Sequence, residues 1–138
     1  MVSHNVRGLN IPERRSSLLK ELKKGKPHFV FLQETHFRTH HIPKLSSPSF
    51  PRVFHATNSE AKTRGVAIMI NREAPFEISE QLCDPEGRYI FVRGSYGSKQ
   101  VTLANVYFPN KAHITFCQKV VRELSGFARG CIIMGGGF

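Results

Sequence analysis

Phe29-Val30-Phe31-Leu32-Gln33-Glu34-Thr35 decides the reading of this chain. Four consecutive apolar residues, aromatic and β-branched among them, follow Pro27 and stop at a polar tripeptide. A run of that length and composition predicts a strand buried on both faces, with its polar end at the rim of a sheet. Glu34 is then a carboxylate aimed by a rigid strand. That arrangement serves a solvated strand end and a metal ligand equally well, and a hard divalent ion needs few carboxylates because it keeps several waters.

Upstream, Val2 to Val6 predicts a short strand. A helix follows, capped at Asn10 or Ile11, with Pro12 in its first turn and Glu13 at its positive end. Leu18, Leu19 and Leu22 form its apolar stripe, Gly25 ends it and Pro27 bars continuation. Downstream, residues 36–51 carry Pro43, Ser46-Ser47, Pro48 and Pro51 and read as a loop. Strands are predicted over 52–56, 65–71, 76–82, 88–93 and 101–107, with turns at Asp84-Pro85-Glu86-Gly87 and Gly94 to Ser98. Residues 112–128 read as a helix with Ile114, Cys117, Val120, Val121 and Leu124 on one side. Cys131 to Met134 reads as a final buried strand. Helices outside two packed sheets suit this mixture, an α/β sandwich.

Charge is the clearest compositional signal. Lys plus Arg number 20 against 10 acidic residues, a net charge of +10. Residues 1–65 hold 12 basic and 4 acidic side chains, residues 66–138 only 8 and 6. Such an excess favours a polyanionic partner through long-range attraction and counterion release. No apolar run approaches the roughly 20 residues of a membrane span, and the start is polar, without the apolar segment of a signal peptide. The three cysteines are far apart with no Cys-x-x-Cys, so a structural zinc site is not expected. Cys117 and Cys131 read as buried thiols, which fits a reducing intracellular compartment, nuclear or cytoplasmic. His36, His40 and His41 cluster after Glu34 in a loop, where surface or nucleic-acid-facing roles suit them better than a metal cage.

Four blocks stand in order: Asn5-Val6-Arg7-Gly8-Leu9-Asn10, Gln33-Glu34-Thr35, Asn105-Val106-Tyr107-Phe108-Pro109-Asn110 and Gly135-Gly136-Gly137-Phe138. With Arg64-Gly65-Val66-Ala67 and Asp84-x-x-Gly87-Arg88 between them, the chain resembles the endonuclease/exonuclease/phosphatase superfamily. It looks most like the apurinic/apyrimidinic-endonuclease-like domain of LINE-type retrotransposon polyproteins. The resemblance implies a four-layered α/β sandwich that cuts DNA phosphodiesters with Mg²⁺ (or Mn²⁺) and no small-molecule cofactor. It implies Glu34 as metal ligand, Asn5 as support for that ligand and the scissile phosphate, Tyr107 facing the phosphate, and Asn110 contacting the substrate or its orienting network. Gly65 would permit close backbone approach, and Arg88 would pair with Asp84 or Glu86.

Gly137 stands where the family keeps an aspartate that activates water or protonates the leaving group. The family's later acidic residue and its histidine have no counterpart here. The expectation is therefore a single partial domain over residues 1–138, an incomplete four-layered sandwich with an uncovered sheet edge open to self-association. Its function would be that of a truncated, inactive or degenerate retrotransposon-type endonuclease acting on DNA, away from membranes. A non-catalytic basic nucleic-acid-binding remnant is the alternative, and a phosphatase-type member of the same superfamily is a second.

Overall fold

A computed structural model describes residues 1–59, 64–108 and 114–137. The elements run β1 (Val2–Asn5), α1 (Pro12–Gly25), β2 (Phe29–Gln33), β3 (Arg52–Ala56), β4 (Val66–Ile70), β5 (Phe76–Cys83), β6 (Tyr89–Tyr96), β7 (Lys99–Tyr107), α2 (Ile114–Phe127) and β8 (Cys131–Gly137). They build two four-stranded sheets, ordered β1-β2-β4-β3 and β5-β6-β7-β8. β1 runs parallel to β2, and β8 parallel to β7, while the other pairings are antiparallel. The carboxyl ends of β1, β2, β7 and β8 therefore converge on one end of the sandwich.

The period-two alternation of the strands sorts the side chains into layers. Phe29 and Phe31 of β2, Val66, Ile68 and Ile70 of β4, Ile90 and Val92 of β6, and Val101 and Leu103 of β7 meet between the sheets. Val30, Leu32, Ala67 and Met69 point the other way, against Leu18, Leu19 and Leu22 of α1 and against Phe37, Leu45 and Phe50 of the long loop. Tyr89, Phe91, Ala104 and Val106 face α2 on the opposite side. The result is two packed four-stranded sheets with α1 on one outer face and α2 on the other, the α/β sandwich class expected. Each fully buried large apolar side chain contributes roughly 1.5–3 kcal/mol relative to exposure. No helix among the described residues is long and apolar enough to cross a membrane.

Several expectations need correction. α2 buries Phe116, Val120, Leu124 and Phe127, whereas Ile114 and Val121 are 74% and 63% exposed. The stripe is rotated because the outer face of β6 offers aromatic partners: Phe116 meets Tyr89, and Phe127 meets Phe91. Cys131 is exposed and Cys117 only half-buried. β8 is an edge strand, so Ile132 and Met134 on its outer side remain exposed while Ile133 packs inward. Gly94 lies within β6 rather than in the turn, where a Cβ would fall 2.0 Å from Glu77 O beside the irregularity between Ile78 and Glu80. Lys26, not Gly25, takes the left-handed conformation that closes α1, and its N–H bonds Leu22 O.

A candidate metal and phosphate site

Two loops and one strand end shape the site. After β2 the chain turns sharply: Glu34 and His36 both adopt left-handed backbone, with φ of 58° and 63°. Such angles are uncommon for residues other than glycine and persist only where the surroundings hold them. Here the surroundings do hold them. Gly8 N–H donates to Glu34 O (2.7 Å) and Leu9 N–H to Thr35 O (2.9 Å), so the Asn5–Asn10 block clamps one side. Thr35 N–H donates to Gly65 O (3.1 Å) and His36 N–H to Arg64 O (2.8 Å), so the Arg64-Gly65 block clamps the other. Gly65 has φ +113°, and a Cβ there would lie 2.3 Å from Thr35 Oγ1. The expected close backbone approach is therefore made, against the Glu34 turn.

The Glu34 carboxylate is one-fifth exposed. Asn5 Nδ2 donates to its Oε2, and Asn5 Oδ1 in turn accepts from Arg7 N–H (3.1 Å). Asn5 is thus fixed at both ends of its amide and holds one carboxylate oxygen. His36 Nε2 lies 3.4 Å from the other oxygen, Oε1. Tyr107 ends β7, with its N–H donating to Arg88 O (2.7 Å). Burial raises the Tyr107 phenol above its ordinary pKa; the Glu34 charge raises it further, and Arg64 opposes both. At neutral pH Tyr107 is therefore an uncharged O–H donor, within electrostatic reach of Glu34. Asn5, Glu34 and Tyr107 share one end of the sandwich, while Asn110 lies outside the described residues.

Beneath the site, a buried polar network joins the sheets. Asn105 of β7 donates from Nδ2 to Leu32 O and Ala67 O, both at 2.9 Å, and accepts from Gln33 Nε2 at 2.9 Å. Gln33 Nε2 also reaches Ser3 Oγ (3.1 Å), which accepts from Gly136 N–H (3.2 Å). Gly135 presses on the same region, since a Cβ there would fall 2.1 Å from Phe31 Cδ2. The three-glycine run therefore continues β8, with Gly135 close-packed on Phe31. Gln33 and Asn105 stand in the sequence as flanks of motifs, and their joint role was missed. The available signal was parity, because both fall on the inward face of otherwise apolar strands.

Arg88 behaves as expected: Nε bonds Asp84 Oδ2 (3.0 Å) and its guanidinium bonds Glu86 Oε2 (2.7 Å). It also lies 4.4 Å above the Phe116 ring, which ties the turn to α2. Arg64 reaches Glu86 Oε1 at 3.4 Å.

Among the described residues no three His, Cys, Asp or Glu side chains converge, so the donor set is not that of a zinc cage. One hard carboxylate, steadied by an amide at Oε2 and faced by His36 at Oε1, fits a cation such as Mg²⁺ that keeps most of its shell for water and phosphate oxygens.

The profile of the Endonuclease/Exonuclease/phosphatase family matches residues 2–136. The chain belongs to that family. Solved structures of similar fold include the AP endonuclease LMAP from Leishmania major, with TM-score 0.71 and 17% identity over 98% of this chain. The endonuclease domain of TRAS1, a telomere-specific non-LTR retrotransposon, gives TM-score 0.68 and 19% identity over 98%. D. rerio TDP2 complexed with a single-strand DNA product gives 0.72 and 19% over 98%. At such identities the likeness is one of fold. The chain spans 53%, 57% and 58% of the lengths of these three structures, in that order.

Proposed function

We propose that this family member carries the cation- and phosphate-binding side of a DNA endonuclease site of the retrotransposon type. The observation that carries the reading is the Asn5–Glu34 pair held at the carboxyl end of the sheet, with the neutral Tyr107 phenol in the same field. Glu34 would hold a divalent cation, and that cation would offset negative charge on a phosphodiester when bound. Asn5 keeps Glu34 oriented, and Tyr107 donates its O–H to a phosphate oxygen. The resemblance assigns Asn110 to orienting the substrate. Hydrolysis requires water oxygen to attack phosphorus while the leaving alkoxide gains a proton. Gly137 has no side chain that could move that proton. Losing one general acid or base costs about 10²–10⁴-fold, and we infer that this 138-residue polypeptide binds DNA and cation without measurable turnover.

A second reading, a basic nucleic-acid-binding surface with no metal role, is favoured by the excess of cations in residues 1–65. Plasmid nicking and duplex DNA retention, each with Mg²⁺ or EDTA, separate the two. The expected result is Mg²⁺-enhanced retention that disappears in Glu34→Gln, with no nicking. Retention indifferent to Mg²⁺ would favour the bare basic surface. Nicking that disappears in Glu34→Gln would refute the inference about Gly137.

A further inference from the structure

Among the polar side chains of this end of the sandwich, His36 is held as firmly as Glu34 yet has no part in the reading above. Its N–H donates to Arg64 O at 2.8 Å, and its carbonyl accepts from Asn10 Nδ2 at 2.9 Å. Its ring rests on Gly8, where a Cβ would fall 2.8 Å from Nδ1. Gly8 is itself in a left-handed conformation at φ +97°, so the space under the ring is kept by a residue that suits the backbone there. The backbone of His36 is thus fixed on two sides and its ring lies over Gly8, with Nε2 3.4 Å from Glu34 Oε1. The other oxygen, Oε2, is taken by Asn5. The carboxylate oxygen left for a cation is the one that faces an imidazole nitrogen.

The spacing is that of two donors to one ion. With metal–ligand distances of about 2.1 Å, donors on adjacent octahedral positions sit about 3.0 Å apart, and donors on tetrahedral positions about 3.4 Å apart. Closing the observed gap to the octahedral value takes about 0.4 Å, within reach of a side-chain torsion at a partly exposed pair. We propose that His36 is a second protein ligand at the Glu34 site, making a mixed nitrogen–oxygen pair that prefers a first-row transition ion, Mn²⁺ over Mg²⁺. This rests on Glu34 as the cation ligand. An all-oxygen set suits Mg²⁺, whereas imidazole nitrogen adds affinity for transition ions and little for Mg²⁺.

The probe is Mn²⁺ alone, followed by electron paramagnetic resonance on the native chain, with Mg²⁺ as competitor. The expected result is one bound Mn²⁺ showing electron spin-echo modulation from a directly coordinated imidazole nitrogen. His36→Gln should lose that modulation and bind Mn²⁺ about tenfold more weakly, with Mg²⁺ affinity changed less than about twofold. Bound Mn²⁺ without nitrogen modulation in the native chain would overturn the proposal and leave Glu34 as ligand intact. Equal loss of both ions in His36→Gln would overturn it too, because that marks a merely positioning role. Mn²⁺ binding that survives Glu34→Gln unchanged would sink the underlying reading of Glu34 instead.

Discussion

Replacing Asn105 by alanine tests whether the buried network holds the two sheets together beneath the site. Three hydrogen bonds are lost at once, to Leu32 O, Ala67 O and Gln33 Nε2. Each is worth about 1 kcal/mol net when both partners vanish, and more when a buried partner is left unpaired. Gln33 keeps Ser3 Oγ, and the two carbonyls lie on strands whose ladder bonds remain, so the orphan penalty is partial. The small void adds a little. The expected loss is about 3–4 kcal/mol, a large part of a typical domain's 5–15 kcal/mol. Urea unfolding followed by far-ultraviolet circular dichroism measures it. A loss under about 1 kcal/mol with an unchanged slope would refute the reasoning, since it would mean that water or relaxed backbone replaces the amide at no cost.

Other outcomes follow from particular residues. Burial holds His55 down at about 4, and its Nδ1 has no partner among the described residues. With an unfolded value near 6.5, the unfolded chain takes the proton first. Stability is therefore full above about pH 6.5 and falls as the pH drops through about 4, by at most about 3 kcal/mol. Urea stability at pH 7.5 and 4.5 should differ less in His55→Gln than in the native chain; an equal difference would refute this. Gly135→Ala should cost about 1–3 kcal/mol by overpacking Phe31. In a thermal melt Gly126→Ala, which meets open space on α2, should hold or gain stability, and the reverse order would count against the packing. Duplex DNA binding should weaken at least tenfold between about 50 and 200 mM salt, and a flat salt profile in a filter assay would exclude the basic first half as its cause.

Much of the fold is legible in the run Phe29 to Leu32, because a strand apolar at every position must be covered on both sides. β4 repeats that pattern, and together they predict a layer above and a layer below. The second sheet is less legible. Cys131-Ile132-Ile133-Met134 looks like β2 in composition, yet it lies at a sheet edge, and composition does not distinguish an edge strand from a central one. The face of α2 was misjudged because Ile114, Cys117 and Val121 also form a helical stripe; the stripe that wins is the one β6 can meet with aromatic rings. Glu34, Asn5 and Tyr107 are named by their motifs and brought together by the parallel carboxyl ends of β1, β2, β7 and β8. His36 reads in the sequence as a surface or nucleic-acid-facing histidine because its approach to Glu34 depends on left-handed backbone at both residues flanking Thr35, a geometry that non-glycine sequence does not announce.

The most direct measurement of the central claim, that Glu34 holds a divalent cation, is nuclear magnetic resonance of the labelled chain with a trace of Mn²⁺. Amide signals of Asn5, Glu34, His36 and Tyr107 should broaden first, while Tyr96 and Gly97, beyond the opposite end of β7, stay sharp, and Glu34→Gln should abolish the effect. Broadening centred elsewhere, or unchanged in Glu34→Gln, would contradict the account.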